Sequence, residues 1–507
     1  MNRLFLFAIG GTGARVVRSI MMMLAAGVRG LDSSNQIIPL IIDYDLSNGD
    51  KSRAVKAIDA YAKIHNALYP DVNRGARYED HFFMTQVRSL QANANNPYEF
   101  YFGPQTSEKF ATYLQKAALN TNPNTRLTEQ LLEALYDTSD DTNPNAELEL
   151  DMAKGFKGNP NIGAVVFHEL KHSPEYQQFA NTFNPQTDKV FIISSIFGGT
   201  GASGFPELVN AIRTDPQHAA LTNAQIGAAL VLPYFNLKPF IPGEGDTGAI
   251  DAASFNSKTK AALGFYATQN GINARVNKIY YIGDENTDDY AYAEGTGRQQ
   301  NKAHVVEFVA ATAVLEFLLN NQQNANSAYE FAIKEDRLNS SIKLPDFYPK
   351  VHTLLMEDLS TFALSMKYYR DVLCGDRNQI GSNVAFYATT FNLPARLGRG
   401  VWQDINDFLD NIHQNKWGFY SWLNELNDHT HKVHLYCLEK ENLLTEFMAH
   451  KTVSTRFWQK NPLEDDTISK EINNESQAVQ QNASDTIFLK VLRDVARATC
   501  QKIQYSI

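Results

Sequence analysis

Two stretches of the chain carry nearly the same residues, "AIGGTGAR" at 8–15 and "IFGGTGAS" at 196–203. In each, an apolar run meets Gly-Gly-Thr-Gly-Ala and then a helical pattern. Glycines let backbone N–H groups converge at such a turn, and the helix N-terminus adds partial positive charge. The chemistry on offer is the binding of phosphate oxygens. Gly10, Gly11, Thr12 and Gly13 would hold them from one side. Gly198, Gly199, Thr200, Gly201, Ala202 and Ser203 would hold them from the other. One such turn is a weak signal, because tight strand-to-helix turns use glycine for steric reasons alone. Two matched turns can grip a di- or triphosphate together.

Single-loop nucleotide motifs fit poorly. A Walker A loop ends in Gly-Lys-Ser/Thr, and neither turn has that lysine. A dinucleotide fingerprint would use Gly11 and Gly13 but meets Val16 where its third glycine belongs, and Asp43 lies about 30 residues on rather than about 20. A dinucleotide-dependent oxidoreductase therefore stays a remote alternative.

Other reactive residues read less sharply. Arg15 follows the first turn and is placed to neutralise a phosphate, whereas Arg18 is expected to face solvent or an acidic partner. "HELKH" at 168–172 satisfies the zinc-protease spacing literally, but no third ligand is in view, so it is read as coincidence. The histidines of "HTHKVH" at 429–434 have no carboxylate or cysteine at ligand spacing, and no metal site is expected there. Glu357 and Asp358 read as a solvated helix face.

The elements that must position these residues follow from hydrophobic patterning. Leu4–Ile9, Ile37–Ile42, Val190–Ile196, Ile226–Leu232 and Lys278–Ile282 are continuous apolar runs, the pattern of strands buried on both faces. Helical patterns at Arg15–Ala26, Ser203–Arg213 and Ser257–Gln269 alternate with them, which predicts an α/β fold with a mostly parallel, Rossmann-like sheet. Ligands of such sheets bind beyond the carboxyl ends of the strands, where both glycine turns fall. Residues 50–150 read as a helical insertion and 301–321 as a long, buried central helix. Another helix is expected near Val351–Tyr369, and short strands at Val384–Phe391 and Val433–Leu438.

Composition bounds the rest. The 507 residues suffice for more than one domain, and a net charge of −10 disfavours nucleic acid and anionic lipid. Cys374, Cys437 and Cys500 fit no disulfide or zinc spacing, as in a reducing cytoplasm. No apolar run approaches the roughly 20 residues of a membrane span. The N-terminal run reads as a buried strand rather than a signal peptide, since its twin near residue 190 is internal.

In this order the segments resemble the tubulin/FtsZ superfamily of GTPases. "FGGTGASGFP" (197–206) resembles the family signature, with Phe197 and Ser203 standing where glycines are usual. "IGGTGAR" (9–15) resembles the first nucleotide loop, and "LIIDYDLSN" (40–48) the second, which puts Asp43 and Asp45 near the nucleotide. "GFKGNPNIG" (155–163) is similar to the third loop, with Gly158 and Asn159 facing the gamma-phosphate. "ALVLPYF" (229–235) and "KIYYIGDEN" (278–286) are similar to the following strands.

The resemblance implies a nucleotide-binding domain over 1–300, a central helix at 301–321 and a divergent α+β domain over 322–507. It implies GTP or GDP with Mg2+, head-to-tail self-association into filaments, and Asn301 and His304 near the base. It also implies that Asp346, in "IKLPDFYPK" (342–350), positions the attacking water for the next subunit. That acidic loop departs from the family pattern at Leu344 and Pro349. A nucleotide-binding switch with little hydrolysis is accordingly the alternative. It would act on protein partners through 50–150 or the C-terminal region.

Overall fold

The computed structural model describes residues 2–30, 35–45, 48–71, 81–90, 95–103, 107–114, 130, 147–153, 155–237, 255–268, 271–285, 288–290, 300–319, 327–331, 349–374, 386–409, 416–433, 451–452, 461–502 and 504–505. Its frame is a seven-stranded sheet in the order β3-β2-β1-β4-β5-β7-β9, every neighbouring pair parallel. The strands are β1 (Asn2–Ile9), β2 (Asn35–Ile42), β3 (Gln86–Val87), β4 (Lys189–Ser195), β5 (Gln225–Val231), β7 (Lys278–Ile282) and β9 (Ser327–Phe331). A separate parallel pair joins β6 (Phe235–Leu237) to β8 (Asp288–Tyr290).

Burial on both faces explains the unbroken apolar runs. In β1, Leu4, Leu6 and Ala8 enter one core while Phe5, Phe7 and Ile9 enter another on the opposite face. The first core is covered by α1 (Gly10–Ala25), α2 (Gly49–Leu68) and the central helix. The second is covered by α3 (Pro160–Phe167), α4 (Pro174–Thr182) and α5 (Gly199–Arg213). The first two expected helices begin earlier than their apolar periodicity: α1 opens at Gly10 and α5 at Gly199, so the glycines are themselves the first helical turn.

Farther along lie α6 (Phe255–Tyr266) and the central helix α7 (Val305–Leu319). Glu307 in α7 is fully enclosed among apolar residues and is neutralised by Arg15. A continuous helical run spans 349–373 and contains two π turns. It is followed by α8 (Val401–Leu409), α9 (Phe419–Asn427), α10 (Asp465–Ser476) and α11 (Asp485–Gln501). Among the described residues no helix is long and apolar enough to cross a membrane.

Three local expectations are corrected. The strand expected at Val384–Phe391 is a helix, Phe386–Thr390, because Tyr387 and Phe391, one helical turn apart, both pack on Phe488. Asp358 is no solvated residue: it is buried and held by Arg29 and by Arg497 at 2.8 Å. Arg18 is buried too, its charge met within the chain by Glu425 at 2.6 Å. From the other strand expectation, Val433–Leu438, only Val433 lies among the described residues.

Candidate functional site

Strand order locates the site. From β1 the chain runs outward to β2 on one side, and β4 takes up the other side of β1. The sheet therefore reverses its winding between β1 and β4, and a crevice opens beyond their carboxyl ends. Ile9 pairs with Ser194 at that edge, so the two glycine turns emerge side by side.

Their backbones face each other closely. Gly10 has φ +72°, the left-handed region, and a Cβ placed on it would stand 3.7 Å from Thr200 Cβ and 3.9 Å from the Gly201 nitrogen. Gly13 lets α1 lie on the sheet: a Cβ there would come within 2.7 Å of the Ala8 carbonyl carbon. The third loop, 155–159, closes against Gly199, with Gly155 beside Asp45. Two helix N-termini and a glycine loop thus share one crevice, the arrangement that binds polyphosphate oxygens through backbone N–H groups. Side chains at these glycines would fill the space between the loops, so the residues present fit a phosphate chain.

The second loop supplies the polar floor. Asp43 is buried at the end of β2 and accepts hydrogen bonds from Asn48 Nδ2 at 2.7 Å and from the Asp45 backbone at 3.1 Å. Burial pushes its carboxyl up to about 7, against the lowering effect of Lys51. Asn48 also caps α2, accepting from Asp50 N at 2.8 Å, and its amide lies next to Gly11.

Arg15 lies beside the first glycine turn, its Nη2 donating to Thr12 Oγ1 at 3.2 Å, but its charge is met within the chain. Its guanidinium is buried against Glu307, Asp50 at 2.6 Å and the Tyr234 hydroxyl at 2.7 Å. Burial alone would lower its pKa, but Glu307, Tyr234 and Asp50 hold it well above the ordinary value. Packing against α7 captures this side chain because Glu307 would otherwise be an unpaired charge in the core.

Phe197 and Ser203, which stand where the resemblance expects glycines, have structural partners. Phe197 packs into an aromatic cluster with Phe255 (4.9 Å) and Phe235 (5.7 Å). Ser203 is buried, donates to the Gly199 carbonyl at 2.8 Å and abuts Gly163 of α3. The backbone of Asn301 donates to Asp50 at 3.0 Å, and its carbonyl accepts from Arg53. His304 is wholly buried, its ring flanked by Tyr234 at 4.9 Å and His429 at 4.7 Å. Asp346 lies outside the described residues.

Sequence reading missed two site residues. Lys258, in the first turns of α6, reaches across to donate to the Gly158 carbonyl at 2.7 Å, which sets a cation at the rim of the third loop. No local pattern betrays it, since its position depends on how α6 packs. Asn48 was legible in principle, as an Asn before Gly-Asp at a helix start is a cap signal.

His168 and His172 lie elsewhere. They line an open cleft of about 490 Å³ with Lys171, Glu207 and Arg275, toward the far end of α5 from the glycines. That cleft mixes charges of both signs, and among the described residues its histidines and Glu207 are not gathered closely enough to hold one ion.

No family model matches the sequence, and no curated protein matches it. Several solved structures are similar in part, including the following two. One is CetZ from Methanosaeta thermophila strain DSM 6194, with 12% identity over 63% of this chain and 53% of that one, at a TM-score of 0.25. The other is a GTPγS-form protofilament of TubZ from Bacillus thuringiensis serovar israelensis, with 12% identity over 63% and 54%, at a TM-score of 0.22. The chain spans about half the length of each. The α/β architecture stands on the chain's own strand pairings.

Proposed function

We propose that this chain is a tubulin/FtsZ-like GTP-binding protein that hydrolyses GTP at head-to-tail contacts between copies and forms filaments. The observation that carries the reading is the meeting of three glycine loops beyond β1 and β4, at the point where the sheet reverses. In this reading the backbone N–H groups of 10–13 and 198–201 hold the phosphates, and Gly158 and Asn159 face the terminal one. Asp43 and Asp45 would lie near the nucleotide, and Mg2+ would supply charge neutralisation of the phosphate oxygens. Lys258 adds a cation from α6. Phosphoryl transfer depends on positioning and charge rather than on covalent chemistry. Asp346 of one copy would orient water at the nucleotide of the next, and such a heterologous contact builds an open filament.

The test is the nucleotide that co-purifies, followed by GTP turnover against protein concentration and electron microscopy with GTP. Turnover per chain is expected to rise steeply with concentration and to fall in Asp346→Ala. Tight GTP binding with turnover independent of concentration would replace this reading with a nucleotide switch acting on protein partners. NAD retained in place of GTP would overturn both.

A further inference from the structure

At the start of the central helix, three ligating side chains from distant parts of the chain converge. Asp288 opens β8, His304 stands just before α7, and His429 follows α9. His429 Nδ1 lies 3.2 Å from Asp288 Oδ2, and His304 Nε2 lies 3.4 Å from the same oxygen. All three ligating atoms fall within 4.8 Å of one another. We propose that Asp288, His304 and His429 form a zinc-class divalent metal site that ties the start of the central helix to the C-terminal helices.

Proton placement supports a cation at this point. His429 Nε2 lies 2.8 Å from the Ala303 carbonyl, which can only accept, so the ring proton sits on Nε2. Nδ1 then turns its lone pair toward a carboxylate oxygen, and two acceptors face each other. The other Asp288 oxygen is already fixed by the Thr430 backbone N–H at 3.2 Å and hydroxyl at 3.0 Å, which aims Oδ2 at the histidines. Such outer hydrogen bonds orient metal ligands and set their tautomers.

His304 gives the second, independent sign. Its ring is wholly buried, and Nε2 faces Asp288 Oδ2 at 3.4 Å without a well-formed hydrogen bond. A proton on His429 would answer the contact with Asp288 and leave His304 as it is, whereas a metal ion answers both. The spacing also suits a metal: with Zn–N and Zn–O bonds of about 2.0–2.1 Å, tetrahedral ligand atoms stand about 3.3 Å apart. Metal binding moves the His304 proton to Nδ1 and gives up the 3.2 Å cap from the Val306 N–H. Two imidazoles and one carboxylate favour Zn2+ or Co2+ over Mg2+. The Asp288 side chain is 17% exposed, which leaves a path for the ion and for water as fourth ligand. The proposal is independent of the nucleotide reading.

The test uses the full chain stripped by chelator and titrated with Zn2+ alone, without nucleotide. One equivalent should bind and raise the thermal midpoint. Co2+ in its place should give the intense visible bands of a tetrahedral centre. Asp288→Asn and His429→Gln should each weaken Zn2+ by about 100-fold or more, while His431→Gln, altering a histidine paired instead with Asp284, should leave it unchanged. X-ray absorption on wild-type protein with bound zinc should show two imidazoles and oxygen ligands, a readout that needs no variant to fold. Absence of stoichiometric uptake by the wild type, a different ligand set, or undiminished binding in folded Asp288→Asn or His429→Gln overturns the proposal.

Discussion

Gly199 and Gly158 meet backbone to backbone: a Cβ on Gly199 would stand 3.1 Å from the Gly158 nitrogen and 2.9 Å from Phe156 Cβ. Gly199→Val should therefore push the third loop off the 198–201 turn and spoil the crevice while the sheet persists. The expected loss is about 100-fold in GTP affinity, or about 3 kcal/mol. Calorimetric titration reads it, with far-UV circular dichroism unchanged. Wild-type affinity in this variant would remove the crevice as the nucleotide site.

Lys258 makes a second test, because its half-buried ammonium reaches the rim and not the core. Lys258→Gln is expected to weaken GTP about tenfold, near 1.4 kcal/mol. The difference should shrink as salt is added, since the contact is partly screened. Stability should move by no more than about 0.5 kcal/mol, as for a surface substitution.

Arg15 predicts the opposite pattern. Arg15→Met would strand Glu307 in the core without its cation, while Asp50 keeps Arg53 at 2.7 Å. Breaking a buried pair this way costs about 3–5 kcal/mol, measurable as a lower urea midpoint. A variant as stable as the wild type, with only nucleotide affinity reduced, would make Arg15 a phosphate ligand after all.

Asp43 gives a pH signature. Its folded pKa of about 7 lies above the ordinary 3.8, so the native state keeps a proton that the unfolded chain has already released. Stability from this group is therefore full below about pH 4 and falls as pH rises toward about 7, by about 1.4 kcal/mol per unit. Asp43→Asn should flatten that part of the curve, checked by urea midpoints of both proteins across the window.

The sheet was largely legible because strands buried on both faces write unbroken apolar runs, as in β1 and β4. The pairing of the two glycine turns was legible because each repeats the other. Charge partners were not. Arg15 follows a phosphate-type turn and reads as a ligand, yet its partner Glu307 lies 292 residues away on another helix. His429 follows Asp428 directly in a histidine-rich string, yet the acid it meets is Asp288, 141 residues upstream. Sequence spacing reports neighbours along one element. It is silent on ligands and counter-charges that only packing brings together.

Arg18 and Glu425 are separated by 407 residues. During synthesis α1 is made 407 residues ahead of its acidic partner. Until then the helix that carries the first glycine turn holds an uncompensated charge on a face it must bury. Folding around α1 is thereby tied to synthesis past residue 425, and a chain stalled before that residue should leave the ribosome with an open, protease-sensitive segment around α1.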